Sequence, residues 1–274
     1  MNTSGSTGNT LDTSKELHEF VCDLARRAGE LQLSRHESPG EIREKGPKDY
    51  VTEVDLLCEE LMISAIEEHY PEDAILSEER GGEISASGRS WLLDPVDGTA
   101  NFARSNPLFC ACISVIENDT VTHAAVAAPR LGDLYHARLG GGAYRENGGV
   151  STPLEVSATR ELDDAFVGAD ISFMGAMRED GRKGTDEVFA ASWQLRALGS
   201  AGIRGAWIAA GYLDASIGTR NTAWDYAPTV LLVSEAGGRA TDITGEPWTP
   251  ASQGLVASNG DPLHAEILGI LNKR

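Results

Sequence analysis

Asp94 and Asp97 close the apolar run Trp91–Leu93, with Pro95 between them and Gly98 and Thr99 straight after. Two carboxylates three residues apart at the end of a buried strand repel each other. A divalent cation between them turns that repulsion into binding energy. Three more acidic positions end an apolar run or open a helix. Asp55 follows Thr52 at the start of a helical pattern, Glu78 ends the run in AILSEE, and Asp225 opens WDYAPTVLLVSEAGG. Each alone reads equally as turn or cap chemistry. Their conjunction points to a site, because ligands favour strand ends in α/β architectures. Oxygen donors without neighbouring His or Cys ligands select hard ions, Mg2+ or Mn2+, over zinc. Mg2+ shares its shell with substrate phosphate, and Gly98, lacking a side chain, lets backbone amides at the start of a short helix approach that phosphate.

Such residues need elements to hold them. Leu17, Val21, Leu24, Ala28 and Leu31 recur at helical spacing, and Thr13 with Glu16 fits a capping box, so a helix is expected over Thr13–Leu33. The charged segment from Arg35 to Glu53, broken by Pro39, Gly40, Gly46 and Pro47, reads as a mobile loop or loose hairpin. A second helix is expected from Val54 to Glu68, with Thr52 as N-cap and Pro71 ending it. Strands are expected at Ala74–Leu76, Trp91–Leu93, Phe109–Ile116, Val121–Ala128 and Leu134–Ala137, followed by a glycine-rich turn at 140–142. Beyond Glu161 the pattern alternates, which suggests a second α/β unit. Its strands fall at Ala165–Ala169, Ala215–Gly218 and Leu255–Ser258. Its helices fall at Asp186–Ala197, Ala201–Ala210, Asp225–Ala236 and from Pro262 onward, and a long loop carries Gly175, Gly181 and Gly184. The expected organisation is a disordered polar tail over 1–14, an α+β domain over 15–158 holding most of the acidic positions, and an α/β domain over 159–274 supplying Asp225.

Composition narrows the partners. The 274 residues are 41% hydrophobic and 24% charged, ordinary for a globular chain, and the formal net charge is −19. That charge argues against nucleic acid or an anionic membrane as partner. It also means that bound cations must reverse the field locally if the substrate is a phosphate. No run approaches the roughly 18 apolar residues of a membrane helix, and the polar start lacks the plan of a signal peptide, so a cytoplasmic location is expected. Cys22, Cys58, Cys110 and Cys112 read as buried thiols. His18, His69, His123, His136 and His264 show no ligand spacing and read as surface or packing residues.

Taken together, LLDPVDGTANF, DYVTEVD, ILSEE and WDYAPTVLLVSEAGG closely resemble the inositol monophosphatase family of Mg2+-dependent, lithium-sensitive phosphatases, in that family's order and spacing from about Lys15 to the C-terminus. The resemblance implies an α+β / α/β fold, the layered αβαβα sandwich of sugar phosphatases, usually a homodimer. It implies two or three Mg2+ ions, with Mn2+ possible. Glu78, Asp94 and the Val96 carbonyl would hold the first. Asp94, Asp97 and Asp225 would hold the second, and a third, weaker ion would use Glu78 and waters. Asp55 and Thr99 would orient and deprotonate the attacking water, making Asp55, Glu78, Asp94 and Thr99 the catalytic set. Asp97, Gly98, Thr99, Ala201 and Asp225 would face the substrate. The implied reaction is hydrolysis of a small polyol or sugar phosphate, inositol-1-phosphate first. Fructose-1,6-bisphosphate, histidinol phosphate and a cyclitol phosphate come next. A 3'-phosphoadenosine 5'-phosphate phosphatase and a non-catalytic phosphate-binding module are the remaining alternatives.

Three positions depart from or extend that pattern. Relatives specific for myo-inositol phosphate carry a glutamate seven residues before the last catalytic aspartate, where this chain has Gly218. Either the substrate differs, or Arg220 or Asn221 makes the contact. Arg204 is read as a solvated helix residue in preference to a partner for a second anionic group. A basic residue of the 35–53 loop is expected near the third metal; Lys45 or Lys48 fits, although counting lands on Glu44.

Overall fold

Successive residues of two neighbouring strands point into two different cores. Trp91, Leu93, Ala111, Ile113 and Val115 face one, and Leu92, Cys110, Cys112 and Ile116 face the other. Strands covered on both faces are apolar throughout, which is why these runs show no polar alternation. The computed structural model describes residues 7–37, 40–46, 49–169, 179–219 and 223–273.

The first part of the chain comprises helix α1 (Thr7–Arg35), hairpin strands β1 (Ile42–Gly46) and β2 (Asp49–Thr52), and helix α2 (Glu53–His69). Then come strands β3 (Ala74–Ser77), β4 (Gly81–Gly82) and β5 (Arg89–Asp97), and a single helical turn α3 (Thr99–Phe102). Strands β6 (Cys110–Glu117), β7 (Thr120–Ala128), β8 (Asp133–Arg138), β9 (Gly142–Asn147) and β10 (Val150–Pro153) follow. The second part runs β11 (Phe166–Ala169), α4 (Glu179–Ala191), β12 (Gln194–Ala197), α5 (Ala201–Ala209), β13 (Ala215–Gly218), α6 (Ala223–Glu235), β14 (Arg239–Thr241), β15 (Leu255–Ser258) and α7 (Leu263–Leu271).

Eight strands form one sheet in the order β10-β9-β8-β7-β6-β5-β3-β4, antiparallel except where β3 runs parallel to β5. Five form a second sheet, β12-β11-β13-β15-β14, parallel at one end and antiparallel at the other. Helices α1 and α2 cover the outer face of the large sheet, through Leu17, Val21, Leu24, Met62 and Ile66. Helices α5 and α6 lie between the sheets, touching Leu92 and Val126 on one side and Leu255 and Ala257 on the other. Helices α4 and α7 close the outer face of the small sheet around Val167, Ile217 and Val256. The layers are therefore αβαβα, an α+β sandwich. No helix among the described residues is long and apolar enough to cross a membrane.

Several boundaries differ from the sequence reading. Helix α1 begins at Thr7, six residues before the expected cap at Thr13, because the apolar stripe that periodicity detects starts only at Leu17. The segment after α1 is an antiparallel hairpin with Ile42 opposite Thr52. Helix α4 starts at Glu179 and takes in Gly181 and Gly184, both expected in a loop, while Gln194–Ala197 is strand and not helix. Gly184 packs against Leu271 of α7, so a residue read as a breaker serves a close helix contact. Gly175 lies outside the described residues.

Candidate active site

The carboxylates of β5 share a face because the strand is irregular there. Asp94 stands opposite Cys112 and Asp97 opposite Cys110, so three steps on β5 match two on β6. In a regular strand residues three apart point to opposite faces; the extra residue of a β-bulge brings them back to one. Pro95 is tolerated in this internal strand because it sits in the bulge, and Gln32 Nε2 holds its carbonyl at 2.7 Å. Gly98 then turns the chain with φ +91°, a left-handed conformation costly for other residues.

Asp97 is gripped from the middle layer. Its Oδ1 accepts from Ala201 N at 3.0 Å, and its Oδ2 accepts from Gly202 N at 2.7 Å and Ser200 Oγ at 2.5 Å, with Cys110 Sγ at 3.2 Å. Ser200 also caps α5 by accepting from Ile203 N at 3.2 Å. The first turn of α6 brings in Asp225, and one oxygen each of Asp94, Asp97 and Asp225 lies within 4.8 Å of the others. Asp94 is buried, and loss of solvent followed by the charges of Glu78, Asp97 and Asp225 pushes its carboxyl well above the usual range. A buried carboxyl that cannot comfortably ionise among three others is the electrostatic signature of a cation site.

Glu78 leaves the C-terminal end of β3, with its amide donating to Leu93 O at 3.1 Å and its carboxylate within hydrogen-bond reach of Asp94. Lys45 of the β1–β2 hairpin reaches it at 3.3 Å and Glu79 at 2.5 Å. Burial raises the Glu78 carboxyl and Lys45 opposes the shift. Asp94 thus belongs both to a pair with Glu78 and to a trio with Asp97 and Asp225.

Asp55 completes the arrangement from α2. Its Oδ2 accepts from Thr52 N at 2.8 Å and Thr52 Oγ1 at 2.5 Å, forming the capping box that starts the helix. Its Oδ1 lies 3.2 Å from Thr99 Oγ1, which is also 2.9 Å from Val96 O. Burial lifts the Asp55 carboxyl to about 6 against the pull of the Thr52 hydrogen bonds. One hydroxyl therefore sits between a titratable carboxylate and a carbonyl of the β5 bulge.

The model of the inositol monophosphatase family matches residues 13–274. The chain belongs to the inositol monophosphatase family. It is a phosphoric monoester hydrolase, as that family is. A probable inositol 1-monophosphatase of Mycobacterium tuberculosis is 35% identical over 271 residues, spanning 93% of each chain. A fructose-1,6-bisphosphatase/inositol-1-monophosphatase of Thermotoga maritima is 31% identical over 258 residues, 93% of this chain and 95% of that one. The solved inositol monophosphatase structure from Thermotoga maritima superposes with a TM-score of 0.81 at 29% identity, covering 93% of this chain and 96% of that one.

Against the family reading of the sequence, the fold gathers Asp55, Glu78, Asp94, Val96, Asp97, Gly98, Thr99, Ala201 and Asp225 about one centre. The preferred reading of Arg204 does not hold: the side chain is 3% exposed, its stem against Gly168 of β11, because α5 lies between two sheets and has no solvated face. Lys45 is the hairpin residue that reaches Glu78, not Glu44; Lys48, Arg220 and Asn221 lie outside the described residues. Sequence reasoning missed Glu59. Its Oε1 accepts from Ser77 Oγ, from Glu79 N at 3.1 Å and from Arg80 N at 3.0 Å, fixing the turn that carries Glu78. Its signal was present: Glu59 lies four residues after Asp55 on the buried face of α2. The expectation of buried thiols holds for all four cysteines.

Proposed function

We propose that this family member is a Mg2+-dependent phosphomonoesterase of small polyol or sugar phosphates, with inositol-1-phosphate as first substrate. The observation that carries the reading is the convergence of Glu78, Asp97 and Asp225 on buried Asp94 from three separate elements. The donor set fits the ion: it is built of carboxylate and carbonyl oxygens, whose mutual repulsion at Asp94 a bound divalent cation would relieve. Glu78, Asp94 and Val96 O would hold one ion, and Asp94, Asp97 and Asp225 another, with Glu78 and waters available to a third. When bound, such ions lower the pKa of a coordinated water and stabilise the leaving alkoxide.

The chain's own groups supply the rest. As water attacks phosphorus, its proton passes to Thr99 Oγ1 and the Thr99 proton to Asp55 Oδ1; the 3.2 Å separation supports that path. Gly98 and Thr99 amides would face the phosphate, and Ala201, beside Asp97, would face the alcohol. Ser200 and the α5 amides hold Asp97 so that it need not reorganise during the reaction. Lithium sensitivity and a homodimer belong to the same reading.

The substrate stays broad because Gly218 offers no carboxylate for a ring hydroxyl. The Thermotoga maritima relative carries both a fructose-1,6-bisphosphatase and an inositol-1-monophosphatase name, which supports a dual range. The test is phosphate release from inositol-1-phosphate, fructose-1,6-bisphosphate, histidinol phosphate and 3'-phosphoadenosine 5'-phosphate with Mg2+. Turnover of the first two is expected. Folded protein inert on every ester would overturn the proposal.

A further inference from the structure

Away from the carboxylates, α1 and β8 bring together His18, Cys22 and His136, whose ligand atoms all lie within 4.8 Å of one another. His18 Nε2 is 2.9 Å from His136 Nδ1 and 3.7 Å from Cys22 Sγ. Cys22 and His136 are buried at 5% and 8% exposure, and half-buried His18 opens the cluster to solvent. The strand carrying His136 is three removed from β5, about 14 Å at the spacing of paired strands, so this is a separate place from the Asp94 centre.

Hydrogen bonding alone accounts poorly for the group. A chain from His18 Nε2 to His136 Nδ1 leaves two buried ring nitrogens, His18 Nδ1 and His136 Nε2, without a hydrogen bond and gives the Cys22 thiol only a long contact. The outer contacts are those of a metal site. His136 Nε2 lies 3.3 Å from Glu146 Oε1, and Glu146 Oε2 accepts from Arg26 at 2.6 Å. His136 Nε2 makes no hydrogen bond at that geometry, so Glu146 stands beside the ring as a charged neighbour, placed to orient a ligating histidine once a metal holds Nδ1. His123, though near, is spent elsewhere: its Nε2 faces Ser14 O at 3.1 Å and its Nδ1 faces Thr122 Oγ1 at 3.0 Å.

We propose that His18, Cys22 and His136 form a second metal site of the zinc class, with Glu146 orienting His136 and a water completing the shell from the side of His18. Two imidazoles and a thiolate select such a borderline ion over the Mg2+ suited to the carboxylate centre. Binding forms a metal–sulfur bond and releases the Cys22 proton to solvent. The ion would staple α1 to the large sheet.

The experiment titrates Co2+, as a spectroscopic stand-in for zinc, into the full chain in excess Mg2+. A thiolate-to-cobalt charge-transfer band saturating at one equivalent is expected, with a rise in the melting temperature. Cys22→Ser should lose the band, His18→Asn should lose the melting shift, and Glu146→Gln should weaken binding about tenfold to a hundredfold. If wild type gives no band, the cluster is hydrogen-bonded packing and the proposal fails. It fails also if the band survives Cys22→Ser and disappears in Cys110→Ser, which would put the ion beside Asp97. If Cys22→Ser does not fold, loss of the band in His18→Asn with its retention in Cys110→Ser places the ion at the same cluster, and the reverse result overturns the proposal.

Discussion

The phenol of Tyr226 fills the space into which any side chain at position 218 would grow: a Cβ on Gly218 would lie 2.4 Å from Tyr226 Oη and 2.6 Å from its ring. Tyr226 is 2% exposed and packed in the middle layer, so it cannot step aside cheaply. A carboxylate at position 218 would therefore require the Tyr226 ring to move. Gly218→Glu should not sharpen preference for inositol-1-phosphate, and overpacking should cost about 1–3 kcal/mol in denaturant unfolding. Adding Tyr226→Ala should return part of that loss, so the two changes should prove non-additive.

Asp94→Asn should separate activity from stability. Removing the carboxylate common to the pair and the trio should lower turnover by several orders of magnitude, measured as phosphate release at saturating Mg2+. The chelated variant should melt higher than chelated wild type at pH 8, since the buried charge is gone. Asp94 has a raised pKa in the fold, so its ionisation draws stability down as pH climbs above the unfolded carboxylate range. The melting difference should thus shrink toward zero as pH falls through that range. Near-normal turnover in Asp94→Asn would show the chemistry lies elsewhere.

Asp55 sets an acid limb. With its carboxyl at about 6, it is neutral below that pH and accepts no proton from Thr99. At saturating Mg2+ and substrate, kcat should rise with pH through about 6 and level off above it. Asp55→Asn should flatten that limb while lowering kcat by about a hundredfold to ten-thousandfold. An unchanged limb in the variant would assign it to another group.

Glu59→Ala should loosen the turn behind Glu78. Three donors lose their acceptor, two of them backbone amides, and such buried losses cost about 1–3 kcal/mol each way they are left unpaired. The Mg2+ concentration for half-maximal activity should rise more than the KM for ester. Glu59→Gln keeps an acceptor oxygen and should recover most of the effect. Equal changes in both constants would mean general destabilisation instead.

Residue chemistry was legible in the sequence where it was local. Asp94, Asp97 and Thr99 sit in one stretch, and Thr52 with Asp55 announces a helix start by an ordinary capping pattern. Register was not legible. The bulge that turns Asp97 to the side of Asp94 depends on pairing with Cys110 and Cys112, which no window around residue 94 contains. Arg204 was misread because helical charge usually means solvent, whereas α5 is enclosed by two sheets. Gln194–Ala197 alternates so weakly that it followed the preceding helix in the reading, yet it pairs as an edge strand beside β11. Glu59 was passed over because three acceptor contacts on one oxygen arise only when β3 docks on α2.

The grip of Ser200, Ala201 and Gly202 on Asp97 spans more than a hundred residues of chain. A half-folded molecule therefore owns the acidic residues without owning a hydrolase. Competence arrives only when the helices between the sheets have docked, so no phosphate ester meets a loosely assembled version of this catalyst.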